Sequence, residues 1–232
     1  MERIKGVTNP RCGLFRRLLL MMFGLMIALS ATAEAPVAKR IFIFGDSMTG
    51  WIAERLQAYG EKNGFTVDAL IWDGATIRKY GMNSAALSRI INRSKPDAVF
   101  VCLGMNELGA LNPEKQYSTY LTKVLGAIGD RPVIWIGPCS WPAHPQWGPK
   151  LDSWLSGKLG AAHYFNSLSL KLPRQSHTNP HPTRKGIAVW TDDLLRWIES
   201  GSAAVRLPGY ATPAREYMRP KVYIYRRMRA PL

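Results

Sequence analysis

Residues 40–51 read RIFIFGDSMTGW, an apolar run from Ile41 to Phe44 that ends in the small polar cluster Gly45-Asp46-Ser47 and passes into helix-forming sequence. Four consecutive apolar residues after a basic one describe a strand buried on both faces. From 49 to 62, Ile52, Leu56 and Tyr59 recur at helical spacing, so the stretch reads as a first βα unit. Asp46 and Ser47 can then be read in two ways. They are the small polar residues any strand-to-helix turn uses to satisfy free N–H groups. Equally, a hydroxyl at the C-terminal end of a parallel strand faces the usual ligand crevice, beside a helix N-terminus that favours negative charge. Only residues elsewhere in the chain can separate a capping serine from a nucleophile.

The same alternation continues outward. Strands are expected at 65–72, 98–104, 133–137 and 162–166, and helices at 84–93, 113–128, 151–159 and 184–198. Strands alternating with helices predict an α/β fold, a three-layer α/β/α parallel sheet in flavodoxin-like order. There is no internal repeat and no low-complexity segment.

The chain has 232 residues, 47% of them hydrophobic, enough for one domain with a substantial core. Residues 1–33 read as a signal peptide: a basic stretch ending at Arg17, an apolar run from Leu18 to Leu29, and the small-residue site Ala31-Thr32-Ala33. An uncleaved anchor is the alternative, and either form places the folded part outside the cytoplasm, in the periplasm or secreted. Residues 34–202 form the expected catalytic-type domain, and 203–232 a basic C-terminal extension broken by Pro208, Pro213 and Pro220.

The 31 basic and 16 acidic residues give a net charge of +15; without the five basic residues and one acid of 1–33, the remainder carries +11. Seven of the basic residues (Arg206, Arg215, Arg219, Lys221, Arg226, Arg227 and Arg229) stand against Glu216 alone in 203–232. For an exported chain this suggests contact with an anionic surface or acidic glycan rather than nucleic acid, and "YMRPKVYIY" could instead add a docked strand. Cys102 and Cys139 are expected as free buried thiols, with a bridge possible only if their strands are neighbours. No Cys/His spacing fits a metal, since His177 and His181 flank Pro180, and no Gly-rich phosphate pattern indicates a nucleotide; neither metal nor cofactor is expected.

In a parallel sheet the loops after the strands gather on one face, so their residues meet although distant in sequence. Here those loops carry Ser47, then Asp73-Gly74-Ala75, then Gly104-Met105-Asn106-Glu107, and before the last helix His181-Pro182-Thr183. Together they offer a hydroxyl, an imidazole to take its proton, and donors for an oxyanion: the N–H groups of Ser47 and Gly74 and the amide of Asn106. The loop CSWPAHPQWGP (139–149) adds rigid aromatics, among which Trp141 could contact a substrate or simply pack.

"GDS", a following Gly, "GxN" and "HPT" in this order resemble the motif blocks of the SGNH (GDSL-like) hydrolases, over residues 40–198. The resemblance implies a flavodoxin-like fold and ester chemistry without a cofactor. It implies Ser47 as nucleophile, Gly74 and Asn106 as oxyanion donors, and His181 as general base and then acid. One departure stands out. The family usually has Asp three residues before the His, and here that residue is Thr178. Loss of the carboxylate's orienting role can cost about 10⁴ in rate in a comparable triad. A backbone oxygen near Thr178 or Asn179, or the Asn179 side chain, is the expected substitute. The function this implies is an exported serine esterase acting on an acyl ester, O-acetyl among the candidates, of a small molecule or glycan. The alternatives are an O-acyltransferase to a glycan hydroxyl and a non-catalytic glycan-binding module.

Overall fold

The structure, a computed structural model, describes residues 34–220. The expected signal peptide and the end of the basic segment, 221–232, lie outside the described residues.

Five strands, β1 (Arg40–Gly45), β2 (Thr66–Ile71), β3 (Ala98–Cys102), β4 (Val133–Ile136) and β5 (Tyr164–Phe165), form one sheet in the order β2-β1-β3-β4-β5. Every pairing is parallel, so the expected flavodoxin-like order is present. The helices are α1 (Thr49–Asn63), α2 (Ile77–Met82), α3 (Ser84–Ser94), α4 (Pro113–Ile128), α5 (Pro149–Leu159) and α6 (Arg184–Glu199). Of these α2 is absent from the sequence expectation. Its single turn and a half is too short to show a helical period, and its start is marked only by Thr76, whose hydroxyl accepts from the Lys79 N–H at 3.0 Å.

The apolar run of β1 serves two cores because successive strand residues point to opposite faces. Ile41 and Ile43 join Ile52, Leu56, Trp190, Leu194 and Ile198 under α1 and α6. Phe42 and Phe44 join Tyr80, Leu87, Val101, Trp135 and Leu155 under the helices of the other face. Each such side chain withdrawn from water contributes about 1.5–3 kcal/mol, so β1, an interior strand between β2 and β3, is anchored on both faces and the cavity lies at its end.

Residues 203–220 are not an appendage. Ala203, Val205 and Leu207 are buried in the α1/α6 core. The backbone of this stretch pairs with the opposite end of the folded body: Ala38 donates to the Arg206 carbonyl at 2.8 Å and Arg206 to the Pro36 carbonyl at 2.9 Å. Farther on, Met218 donates to the Glu54 carbonyl, and the Arg55 guanidinium reaches the Glu216 carbonyl at 3.2 Å. The folded body therefore continues past 202. Apolar residues spaced at every second position, 203, 205 and 207, are what its basic composition obscured.

Candidate active site

At the end of β1 the chain turns tightly. A Cβ on Gly45 would collide with the Cys102 carbonyl oxygen, so only glycine lets the ends of β1 and β3 approach this closely. Asp46 caps the turn, its Oδ1 accepting from the Met48 N–H at 2.9 Å and its carbonyl from the Thr49 N–H at 3.1 Å. The Ser47 hydroxyl is thereby left for another use, and it lies 2.9 Å from His181 Nε2 across 134 residues of sequence.

Ser47, Gly74, Asn106 and His181 line one cavity of about 480 Å³, together with Met48, Trp51, Asp73, Pro182 and Ile187. Four of the five residues expected from the sequence thus meet at one place. Gly74 holds φ at 68°, a conformation glycine adopts without steric cost, and this turns its loop over the sheet edge. The Asn106 amide donates one hydrogen to the Ala75 carbonyl at 2.8 Å, which fixes the group and leaves its second N–H for the cavity. His181 precedes α6, whose first turn is capped by Thr183 accepting from the Gly186 N–H.

Trp141 is the exception. It does not line the cavity; its indole N–H donates to the Thr178 carbonyl at 3.1 Å, and its ring packs edge-on against His144 and Trp147, themselves stacked 3.9 Å apart. Two of the atoms expected near the histidine have these hydrogen bonds. The Thr178 carbonyl accepts from the Trp141 indole N–H, and Asn179 Oδ1 accepts from the backbone N–H of His181 at 2.9 Å. Asp192, remote from the site, is bound by both Arg55 Nε and Nη2 and by the Tyr59 hydroxyl.

Beneath Gly74 and Asn106 lie two buried acids whose part the sequence does not reveal. Glu107 is 2% exposed, and its Oε1 accepts from the Ile77 N–H at 2.5 Å, tying the Gly74 loop to the Asn106 loop. Burial pushes its carboxyl up to about 8, against a smaller downward pull from the Ile77 N–H. Burial likewise pushes Asp46 up to about 7, opposed by the N–H groups of Met48 and Met105. One oxygen of each, Asp46 Oδ2 and Glu107 Oε2, is buried without a hydrogen-bond partner among the described residues. The Tyr80 hydroxyl donates to the Gly45 carbonyl at 3.0 Å and supports the same turn. Cys102 and Cys139 are free and buried; burial pushes the Cys139 thiol up to about 12. Among the described residues no group of three or more His, Cys, Asp or Glu could hold a metal ion.

Fold and loop placement together define a class: a three-layer α/β/α protein with a serine–histidine pair at the carboxyl ends of its parallel strands. Neither a family model nor a curated protein sequence matches the chain. Solved structures do. A two-domain esterase, CEX, active on acetylated mannans and co-crystallised with mannopentaose, is similar at a TM-score of 0.50 and 13% identity. The similarity covers 82% of this chain and 57% of that one, so this chain spans little more than half of that esterase. TesA is similar at a TM-score of 0.47 and 15% identity, over 70% of this chain and 99% of its own. A lipase from a goat rumen metagenome follows at 0.46 and 17%, over 71% and 98%. At 13% identity the likeness to the two-domain esterase is one of fold.

Proposed function

We propose that the chain is a serine ester hydrolase of SGNH type that forms an acyl-enzyme on Ser47. The observation that carries this reading is the 2.9 Å contact between Ser47 Oγ and His181 Nε2 at the wall of a cavity that Gly74 and Asn106 also line. With the imidazole proton on Nδ1, Nε2 accepts the Ser47 proton as Oγ attacks the ester carbonyl. The oxyanion takes hydrogen bonds from the N–H groups of Ser47 and Gly74 and from the free amide hydrogen of Asn106. The imidazolium then gives its proton to the departing alcohol oxygen; the same nitrogen next takes a proton from water, whose oxygen attacks the acyl carbonyl, and returns that proton to Ser47 Oγ as the C–Oγ bond breaks and the acid departs. The proton count closes on His181.

Met48 and Ile187, both buried, with Pro182 and Trp51, give the cavity an apolar lining for an acyl group, acetyl among the candidates. Export rests on the residues of 1–33, and the alcohol is proposed to be a glycan or small molecule outside the cytoplasm. The remaining basic residues suit an anionic surface.

The test is release of nitrophenol from its acetyl ester by the purified chain, beside Ser47→Ala and His181→Ala. Turnover by the wild type with a loss of about 10³-fold or more in each variant supports the acyl-enzyme reading. Wild-type and variant rates equal to the buffer blank would refute it.

A further inference from the structure

A serine–histidine pair needs its imidazole aimed, and the residue three positions before His181 is a threonine. We infer that Arg174, seconded by Trp141, is the positioning residue for His181: it fixes the backbone on both sides of the histidine and so aims the ring through the main chain. The inference rests on the esterase reading.

The His181 loop cannot be aimed by burial. Gln175, Ser176, His177, Thr178 and His181 itself are exposed, so little apolar surface holds them. What holds the loop is directed hydrogen bonding, to which the half-buried Arg174 guanidinium adds a tie at Pro180. Arg174 Nε donates to the carbonyl of Pro180, the residue before His181, at 3.4 Å. Its backbone bridges Pro182, the residue after His181, in antiparallel sense. Nη1 donates to the Leu172 carbonyl at 3.1 Å, and Nη2 to the Ser140 carbonyl and, at 3.2 Å, to Cys139 Sγ. Cys139 and Ser140 lie in the segment that follows β4, so Arg174 fastens the His181 loop to the chain leaving that strand. The planar fork of donors is what lets one side chain serve four acceptors in different directions, which a lysine ammonium does not reproduce.

Trp141 secures the opposite side of the loop through the Thr178 carbonyl, and the Ala143 N–H reaches the His177 carbonyl at 3.1 Å. Pro180 and Pro182, each with a fixed φ, stiffen the two residues flanking the histidine, so displacement of the clamp moves the ring as a unit. The loop geometry also depends on Gly186 at the base of α6, where a Cβ would collide with the Pro173 carbonyl oxygen. The clamp supplies only half of what a carboxylate does. It orients the imidazole, but a cation cannot stabilise the imidazolium.

Activity on the nitrophenyl ester is measured for wild type, Arg174→Met, Arg174→Lys and Trp141→Phe, with Arg174→Met also made in the His181→Ala background. The expected result is a fall in kcat of about 10²-fold for Arg174→Met with KM within about twofold. Arg174→Lys should recover part of the loss, and Trp141→Phe should lose about tenfold or less. In the His181→Ala background Arg174→Met should change the residual rate by less than about twofold, because a group that acts through His181 has nothing left to act on. An equal loss in both backgrounds, or Arg174→Met within about threefold of wild type, overturns the inference while leaving the esterase reading intact. A wild type without turnover overturns both. If Arg174→Met does not fold, Trp141→Phe and Arg174→Lys in the two backgrounds give the same decision.

Discussion

The two sides of the cavity are built on opposite principles. The side carrying Gly74 and Asn106 is held from below by buried groups: Glu107 joins the two loops, and Tyr80 braces the turn at Gly45. The histidine side is an exposed loop held from outside by Arg174 and Trp141. Buried polar ties are expensive to break, because a severed partner is left without water. Exposed ties are cheap to break, because water replaces them. The Gly74–Asn106 side should therefore be the stiffer half of the cavity and the His181 side the more tunable half.

The largest effect that would sharpen this contrast is at Asn106. Removing its amide in Asn106→Ala deletes a preorganised donor, and kcat on the nitrophenyl ester should fall by about 10²–10³ with little change in KM. A shift of KM alone would place Asn106 in ground-state binding instead. A second effect concerns pH. Both buried acids sit above their ordinary values of 3.8 and 4.5, at about 7 for Asp46 and about 8 for Glu107. Through that window the folded chain keeps protons that the unfolded chain has lost. The stability contributed by these two groups should accordingly be greatest below about pH 4 and fall as pH rises toward 8, by about 1.4 kcal/mol per pH unit for each group within its own range. Urea unfolding at several pH values measures this, and Glu107→Gln should remove its share of the slope. The smallest effect is expected for Tyr80→Phe, about 1 kcal/mol of stability from the lost bond to Gly45, with activity nearly unchanged. A large loss of activity there would mean that the turn at Ser47 is less rigid than the buried ties imply.

The same contrast marks what the sequence could disclose. The strands and long helices follow from apolar periodicity, and Ser47, Gly74, Asn106 and His181 follow from topology, because loops after parallel strands must share a face. Trp51 and Ile187, which line the cavity from the first turns of α1 and α6, are reachable by that same rule. The supports are not. Glu107 gives no sign in sequence of being buried, since its neighbours Leu108 and Gly109 read as an ordinary loop. Arg174 sits in a stretch without period between Pro173 and Pro180, and its acceptors are carbonyls, which leave no mark in residue identity. Trp141 is legible as an aromatic near the site but not as a tie to Thr178, because direction is a tertiary property.

The bridge between Val37 and Arg206 sets an order of events for the growing chain. It joins nearly the first and nearly the last of the described residues, and Val205 and Leu207 complete the core beneath α1 and α6. Contacts so distant in sequence close late, since loop-closure entropy opposes them until the intervening elements have docked. A nascent chain stopped at residue 202 would hold the strands, Ser47 and His181, yet have an open seam along its first core. Completion of the fold is thus reserved for a polypeptide that has been synthesised past Leu207.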